Sequence, residues 1–427
     1  MMGSARLRRL QPHLLGFGTR RFSSGINTRL CSQLSNRGVL SVSGTDSKAF
    51  LNGLVASIIK DHPFYTTFLS AQGRVLYDVF IYPHNVDGRP GYLIDYDSRS
   101  TEGTPILSLL KRHVLRSKVR IRDASDEWKV WSVWDPMSQK SSFPIVREWR
   151  AGRSGAAEPL YAENEHRLGH EYPQDTIGTR DLRAPGMGDR LLVRAGDKPG
   201  VHCDVAQDET QFTLHRILHG VPEGIDDIVS QQAFPMDSNM DLMGGLDFRK
   251  GCYVGQELTV RTYHTGVIRK RIMPISLALA PSPKTIQSRL EPDSSIPTLP
   301  TQTSIQAERL ASSSPANSDR PTRPRGTGTL LSNIHGVGLA LLRLEHVDSS
   351  PANSDRPTRP RGTGTLLSNI HGVGLALLRL EHVEGVERGE LVMSFAQMGD
   401  RGSESWIVLP KRPTWWPVAD NSSLQQG

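Results

Sequence analysis

The chain predicts an α+β fold organised on an antiparallel sheet. The order of its first elements carries that reading: one amphipathic helix, three strand-like runs, a second helix and a further strand, all within about one domain length. The turn chemistry between the runs supports it. Ala71-Gln72-Gly73-Arg74 and the turn-rich His84–Gly91 separate runs that alternate with period two, as hairpin-connected strands require. With 427 residues the chain is long enough for two or three such domains, and no apolar run reaches the ~18 residues a membrane-spanning helix needs.

Taken in order, Ser43 or Thr45 is placed to cap a helix that carries Phe50, Leu51, Leu54 and Val55 on one face. Strands follow over Thr66–Ser70, Val75–Tyr82 and Tyr92–Asp97. Ile106 to Leu115 has helical spacing, and Lys118–Arg122 reads as a strand. A second α+β segment runs from Val130 to Arg271. Within it, Ser138–Tyr161 has loop composition, and Thr210–Leu218 forms a short helix stopped by Gly220 and Pro222. From Pro281 to Arg325 the composition collapses to Ser, Thr, Pro and Gln, the mark of a flexible insertion. Ser313–Val347 then recurs without a change as Ser349–Val383. Each copy holds half a linker and half a strand pair, so the repeat is no solenoid unit. The second copy leads directly into Gly389–Val408 and is expected to occupy the native place, with the first copy surplus.

The formal charge of +7 is concentrated at the start. Arg6, Arg8, Arg9, Arg20 and Arg21 precede the first acid, Asp46, and without them the charge is +2. An Arg- and Ser-rich, acid-free opening has the composition of a mitochondrial transit peptide, with cleavage near Arg21-Phe22-Ser23. The remaining charge argues against a polyanion binder, so neither nucleic acid nor a membrane is expected as a partner. Cys31, Cys203 and Cys252 lack a CxxC spacing; no disulfide framework is expected, and one chain cannot close an iron–sulfur cluster alone, since such clusters take four thiolates.

The octapeptide Lys250-Gly251-Cys252-Tyr253-Val254-Gly255-Gln256-Glu257 is the strongest chemical signal. Cationic Lys250 favours a thiolate at Cys252, and Gly251 and Gly255 allow an exposed turn that a partner can reach. Gln256 and Glu257 are placed to hold that turn, with Tyr253 fixing the backbone. Other constellations are weaker. His215 and His219, and His166 and His170, have i, i+4 spacing without a third ligand. The basic run Arg261–Arg271 reads as a solvated strand edge, and Trp415 and Trp416 as anchors for the C-terminal tail.

The run GGLDFRKGCYVGQELTVRTYHTGVIRKR from Gly244 to Arg271 resembles the signature of the YgfZ/GcvT-type, folate-binding-like family, and within it the mitochondrial iron–sulfur cluster assembly factor branch. SGTDSKAFLNGL, FLSAQGRVLYDVFIY, VLRSKVRIRD, HGVPEG, AFPMDSNMDLMGGLDF and SNIHGVGLALLRLE match in the same order. The resemblance implies an aminomethyltransferase-like fold: ferredoxin-like units around a central, folate-sized cavity, followed by a small C-terminal β-barrel. It implies these units: transit peptide 1–24, folate-binding-like α+β region 25–275, low-complexity insertion 276–326, barrel with the duplication 327–416, tail 417–427.

It also implies a function in the mitochondrial matrix, as an assembly factor more than an enzyme. The chain would promote maturation of [4Fe–4S] proteins of aconitase-like and lipoyl-synthase-like kinds. Cys252 would be the functional thiol, and a metal ligand to a transient [2Fe–2S] cluster shared with A-type carrier proteins. Tetrahydrofolate is the expected cofactor, with Asp78, Glu223, Asp237 and Asn239 as polar candidates near the cavity. The rival reading is a folate-dependent aminomethyl or one-carbon transferase. Aminomethyltransferases carry adjacent carboxylates where this chain has Tyr77-Asp78, and half of that pair weakens the proton-transfer chemistry.

Overall fold

The computed structural model describes residues 29–417 except 87, 101–102, 137–146, 153, 207, 281–289, 311–328, 335–336, 342–361 and 400–401. The expected transit peptide and nearly all of the tail lie outside the described residues. Strands β1 (Leu30–Gln33) and β2 (Arg37–Ser43) open the chain and part at once into two sheets.

The first sheet is wholly antiparallel. It joins β3 (Phe64–Leu69), β4 (Val75–Pro83), β5 (Gly91–Asp97), β2 and β6 (Arg120–Asp123), in that spatial order. The three runs read from alternation are therefore its strands, to within two residues at each end. Helix α1 (Ser47–Asn52) starts one step later than expected: Asp46 is its N-cap, not Ser43 or Thr45. Together with α2 (Ile106–His113), α1 covers one face of this sheet, where Leu40, Leu51, Val79 and Leu110 pack without water.

The second sheet places β10 (Ile177–Arg180), β11 (Asp189–Arg194), β7 (Trp128–Trp134), β1 and β12 (Asp204–Val205) side by side, antiparallel except for the β1–β12 pair. Its inner face shares one core with the first sheet: Val39, Phe80 and Tyr82 meet Trp128, Val130, Trp134 and Leu192. A hairpin of β8 (Glu148–Ala151) and β9 (Ala157–Leu160) occupies part of Ser138–Tyr161. The loop assignment there is corrected, because buried Ala157 and Glu158 give the chain something to pack and pair with. On the outer face Cys31 and Cys203 form a disulfide across 172 residues. This corrects the expectation of no disulfide: the parallel β1–β12 pairing brings two distant cysteines to a Cα separation of 5.9 Å, which no sequence spacing reveals.

Helix α3 (Thr210–His219) ends at Gly220 in the left-handed region, φ 70°, where a side chain would meet Pro413 and Pro274. The one-turn α4 (Gly224–Asp227) follows, and α5 (Gln256–Thr265) replaces the strand edge expected in Arg261–Arg271. Only the end of that run enters a strand, β13 (Lys270–Leu279). There Arg271 is buried against Asp241 at 2.8 Å instead of lying in solvent.

A closed six-stranded barrel completes the fold. It takes β13, β14 (Ser304–Arg309), β17 (Gly364–Ile370), β18 (Val373–Arg379), β19 (Leu391–Gly399) and β20 (Gly402–Pro410), with α6 (Leu380–Glu387) against its wall. The barrel thus begins at Lys270 and recruits a strand from the expected 276–326 insertion. Leu299 and Ile305 are buried in its core, so part of that polar stretch is ordered by a few well-spaced apolar residues. The repeat resolves unequally. The second copy supplies β17 and β18, while β15 (Thr329–Ile334) and β16 (Val337–Leu341) of the first copy pair, among the described residues, only with each other. Trp415 seats the chain after the barrel, its indole N–H donating to the His219 carbonyl at 2.8 Å.

Candidate functional site

Cys252 lies exposed in the loop ahead of α5 and is the free cysteine among the three in the chain. The loop is held from beneath. Lys250 points inward, 6% exposed, and its ammonium donates to the carbonyls of Asn52 and Val55 at 2.7 Å and of Ser57 at 3.1 Å. Burial pushes its pKa down to about 8. The expectation that Lys250 serves the thiol is corrected: its charge is committed to closing the 52–57 loop. That loop is otherwise short of hydrogen-bond donors for three inward-facing carbonyls.

Tyr253 is buried beside Lys250, whose ammonium stands 4.9 Å from the ring centroid. Its backbone N–H donates to Gln256 Oε1 at 3.1 Å, so Gln256 closes the turn as the spacing suggested. Gly255 enters the left-handed region, φ 82°, and a Cβ there would stand 2.4 Å from the Ser70 carbonyl oxygen; only glycine fits. Gly251 differs. No atom lies within 4 Å of its notional Cβ, so no packing demands it. Glu257 does not hold the turn either: its side chain is 91% exposed and, among the described residues, reaches only Arg261, one helical turn on, at 4.0 Å. Behind the loop, Phe248 and Tyr263 stack at 4.0 Å and tie α5 to the chain that precedes Cys252. A solvent-facing thiol on a pinned loop can ligate or attack, but it cannot enclose a metal. Among the described residues no group of three or more His, Cys, Asp or Glu side chains is placed to hold one.

The four expected folate-pocket residues separate into two places. Asp78 and Glu223 belong to a buried ionic network between the sheets. Arg37 bridges Asp78 at 3.2 Å and Asp95 at 2.5 Å, and Arg190 bridges Asp95 at 2.9 Å and Glu223 at 3.0 Å. Arg183 joins Glu223 at 2.6 Å and Asp181 at 2.7 Å. Burial raises the Asp78 carboxyl despite Arg37, whereas Arg190, Arg183 and Arg37 overcome burial and hold Glu223 well below its ordinary range. Asp78 also accepts the Gly224 N–H at 3.1 Å. Tyr77, where the partner carboxylate would stand, turns to the opposite face of the sheet and donates to the Thr104 carbonyl at 3.0 Å. Asn239 is fully buried, and its amide donates to the Ile272 carbonyl at 2.6 Å, a structural bond. Asp237 lies near the barrel, where burial lifts its carboxyl to about 6. A single folate pocket made by these four is thereby corrected: β4 and α4 bring the first two together, and the chain turns away before the others.

A cavity of about 540 Å³ does lie between the sheets, lined, His166 apart, by residues the sequence did not single out. Tyr65 and Phe80 supply rings, and Lys60, Arg180 and Arg183 supply charge. His62 and His166 stack at its rim, centroids 3.7 Å apart, both with pKa values lowered by burial. The buried Tyr65 hydroxyl has no hydrogen-bond partner among the described residues. The histidine pairs read from spacing do not converge on a metal. His215 and His219 sit 4.2 Å apart, but their ring nitrogens meet the carbonyls of Gly186 and His215; His170 turns from His166 to Asp189 at 2.6 Å.

Comparison with known proteins agrees with the barrel. The family model described as CAF17, C-terminal beta-barrel domain, matches residues 269–360 and again 358–418, once through each copy of the duplicated segment. The solved glycine cleavage system aminomethyltransferase T from Bartonella henselae covers 90% of this chain and 86% of its own, at 11% identity and a TM-score of 0.49. The iron-sulfur cluster assembly factor IBA57 homolog, mitochondrial, of Cryptococcus neoformans var. neoformans serotype D (strain JEC21) is 39% identical over 328 residues, 74% of this chain and 83% of the relative. The protein of the same description from Mycosarcoma maydis is 37% identical over 334 residues, 74% of each chain. At this identity and coverage, the chain belongs to the family of IBA57-type iron–sulfur cluster assembly factors.

Proposed function

We propose that the protein acts in the mitochondrial matrix in maturation of [4Fe–4S] proteins, with Cys252 lending one thiolate to a [2Fe–2S] cluster shared with an A-type carrier. The single supporting observation is the exposure of Cys252 on a loop that Lys250, Tyr253 and Gln256 pin from beneath. One thiol suffices where the partner supplies the remaining ligands, and a soft thiolate suits iron. Aconitase-like and lipoyl-synthase-like proteins are the proposed recipients. The carrier, reconstituted with its cluster, is to be mixed with wild type and with Cys252→Ala, and the visible absorption and mass of the complex recorded. Wild type is expected to give a cluster-bridged heterodimer and the variant none. Equal yields from both would sink the shared-ligand reading.

A second ligand is proposed for the inter-sheet cavity: tetrahydrofolate, its ring laid by Tyr65 and Phe80 and its carboxylates near Lys60 and Arg180. The cavity has the size of a small-molecule site, and the orphan Tyr65 hydroxyl offers a hydrogen bond. Calorimetric titration with tetrahydrofolate should show binding that Arg180→Glu weakens about tenfold or more. Equal affinity for wild type and variant would remove the ligand from this cavity. Asp78 is absent from the lining, which weighs against turnover by the transferase route.

A further inference from the structure

Two hollows of about 450 and 250 Å³ run together between α5 and the barrel, sharing Phe234, Asp237 and Lys270 in their walls. These shared walls join them into one trough. Gly73 and Leu258 line it, and a Cβ on Gly73 would lie 3.0 Å from Leu258 and 3.2 Å from the Gly255 carbonyl. Gly255 is three residues from Cys252, so the trough starts beside the loop that presents the thiol.

Charge in the trough is one-sided. Arg74, Arg269, Lys270 and Arg379 line it against one uncommitted carboxyl, Asp237; Asp227 is already bonded to Arg216 at 2.7 Å. Arg74 is partly occupied, its guanidinium 3.5 Å above the Phe234 ring, and Arg379 bonds the Gly362 carbonyl. Among the described residues the Arg269 side chain has no hydrogen-bond or ion-pair partner, and Lys270 acts only at longer range, on the Asp237 carboxyl. Val267, 67% exposed, adds an apolar rim beside them. Two cations, an exposed valine and Leu258 along these walls suit a polypeptide segment that carries acids with an apolar residue between them. A nucleic acid fits less well, because Arg74 already covers Phe234, the ring available for base stacking.

We propose that this trough seats an acidic segment of the protein that shares a cluster with Cys252, its carboxylates on Arg269 and Lys270 and an apolar side chain against Leu258 and Val267. The partner's identity rests on the function proposed above; the chemistry of the seat does not. A second contact beside the thiol raises the effective concentration of the partner's ligands at Cys252, so a weak one-thiol contribution to the cluster can be used.

The test has two arms on the full chain. In the first, a fluorescein-labelled peptide, Glu-Glu-Leu-Glu-Asp-Leu, is titrated by anisotropy. Wild type and Cys252→Ala should bind alike. Arg269→Glu with Lys270→Glu, and separately Val267→Asp at the exposed rim, should each weaken binding about tenfold or more, as should raising salt from ~20 to ~300 mM. Absent binding to wild type, indifference to both sets of changes, or tighter binding of a single-stranded RNA of equal charge overturns the proposal. In the second arm the metal-free A-type carrier replaces the peptide. A carrier that binds wild type and the charge-reversed form equally overturns the seat and leaves the proposed function standing. Peptide binding with no carrier binding supports the seat and removes the proposed partner.

Discussion

Arg37→Ala is expected to lower the stability of the fold by about 3–5 kcal/mol. Its guanidinium is wholly buried and reaches carboxylates on two neighbouring strands, Asp78 on β4 and Asp95 on β5. Asp95 would keep Arg190, but Asp78 would be left with one backbone N–H, a buried charge nearly without compensation. The pH dependence has a defined sign. Burial already raises the Asp78 carboxyl, and loss of Arg37 raises it further. The folded variant therefore binds a proton that the unfolded chain has released, and its stability falls as pH rises above the ordinary aspartate range. The gap between wild type and variant should be widest at neutral pH and narrow towards pH 4 or so, the unperturbed aspartate pKa. Urea midpoints at several pH values measure it. A variant within about 1 kcal/mol of wild type at pH 7 would show that the network contributes little to stability.

Lys250→Ala is expected to cost about 2–4 kcal/mol, through three carbonyls that lose a charged donor. Lys250→Arg should not rescue it, since a planar fork cannot converge on three acceptors that surround one ammonium. Here too the sign can be worked out. Burial holds the amine at about 8, below its unfolded value, so between those values the unfolded chain binds more protons. Wild-type stability should then rise with pH from about 8 towards 10 relative to the alanine variant, which lacks the group. A flat difference across that range would mean that the ammonium is not held in the interior. The same substitution frees the 52–57 loop and the chain on either side of Cys252, so loss of function is expected with the thiol still present.

Much of the first sheet was legible because its strands follow the simplest rule, alternation broken by turn residues; Val75–Pro83 and Gly91–Asp97 needed no long-range information. The Cys252 loop was legible because glycine, cysteine and glutamine crowd into eight residues. The ionic network was not. Arg37 and Asp95 are 58 residues apart, Arg190 and Asp95 are 95 apart, and each alone resembles a surface charge. Nor did sequence show that Lys250 turns inward, because the carbonyls that bind it lie almost 200 residues away and carry no side-chain signature. The start of Arg261–Arg271, which its basic residues suggest is a solvated strand edge, is instead the last part of α5, where Thr262 and Thr265 intrinsically suit strands. Anchoring of Tyr263 on Phe248 and of the helix start on Gly255 outweighs that weak preference. Strand β14 was hidden by its own neighbours: Ile305 and Ala307 alternate correctly, but a polar, proline-rich context masks two residues.

The pairing of Cys31 with Cys203 leaves a lasting chemoselectivity. Cys31 is sealed in the outer core even without its bond, and Cys203 is only partly accessible, so an electrophile or a soft ion arriving from solvent meets one sulfur before the others. A stoichiometric maleimide reagent on the native protein would tag a single position, and a spectroscopic label placed there would report on whatever approaches α5.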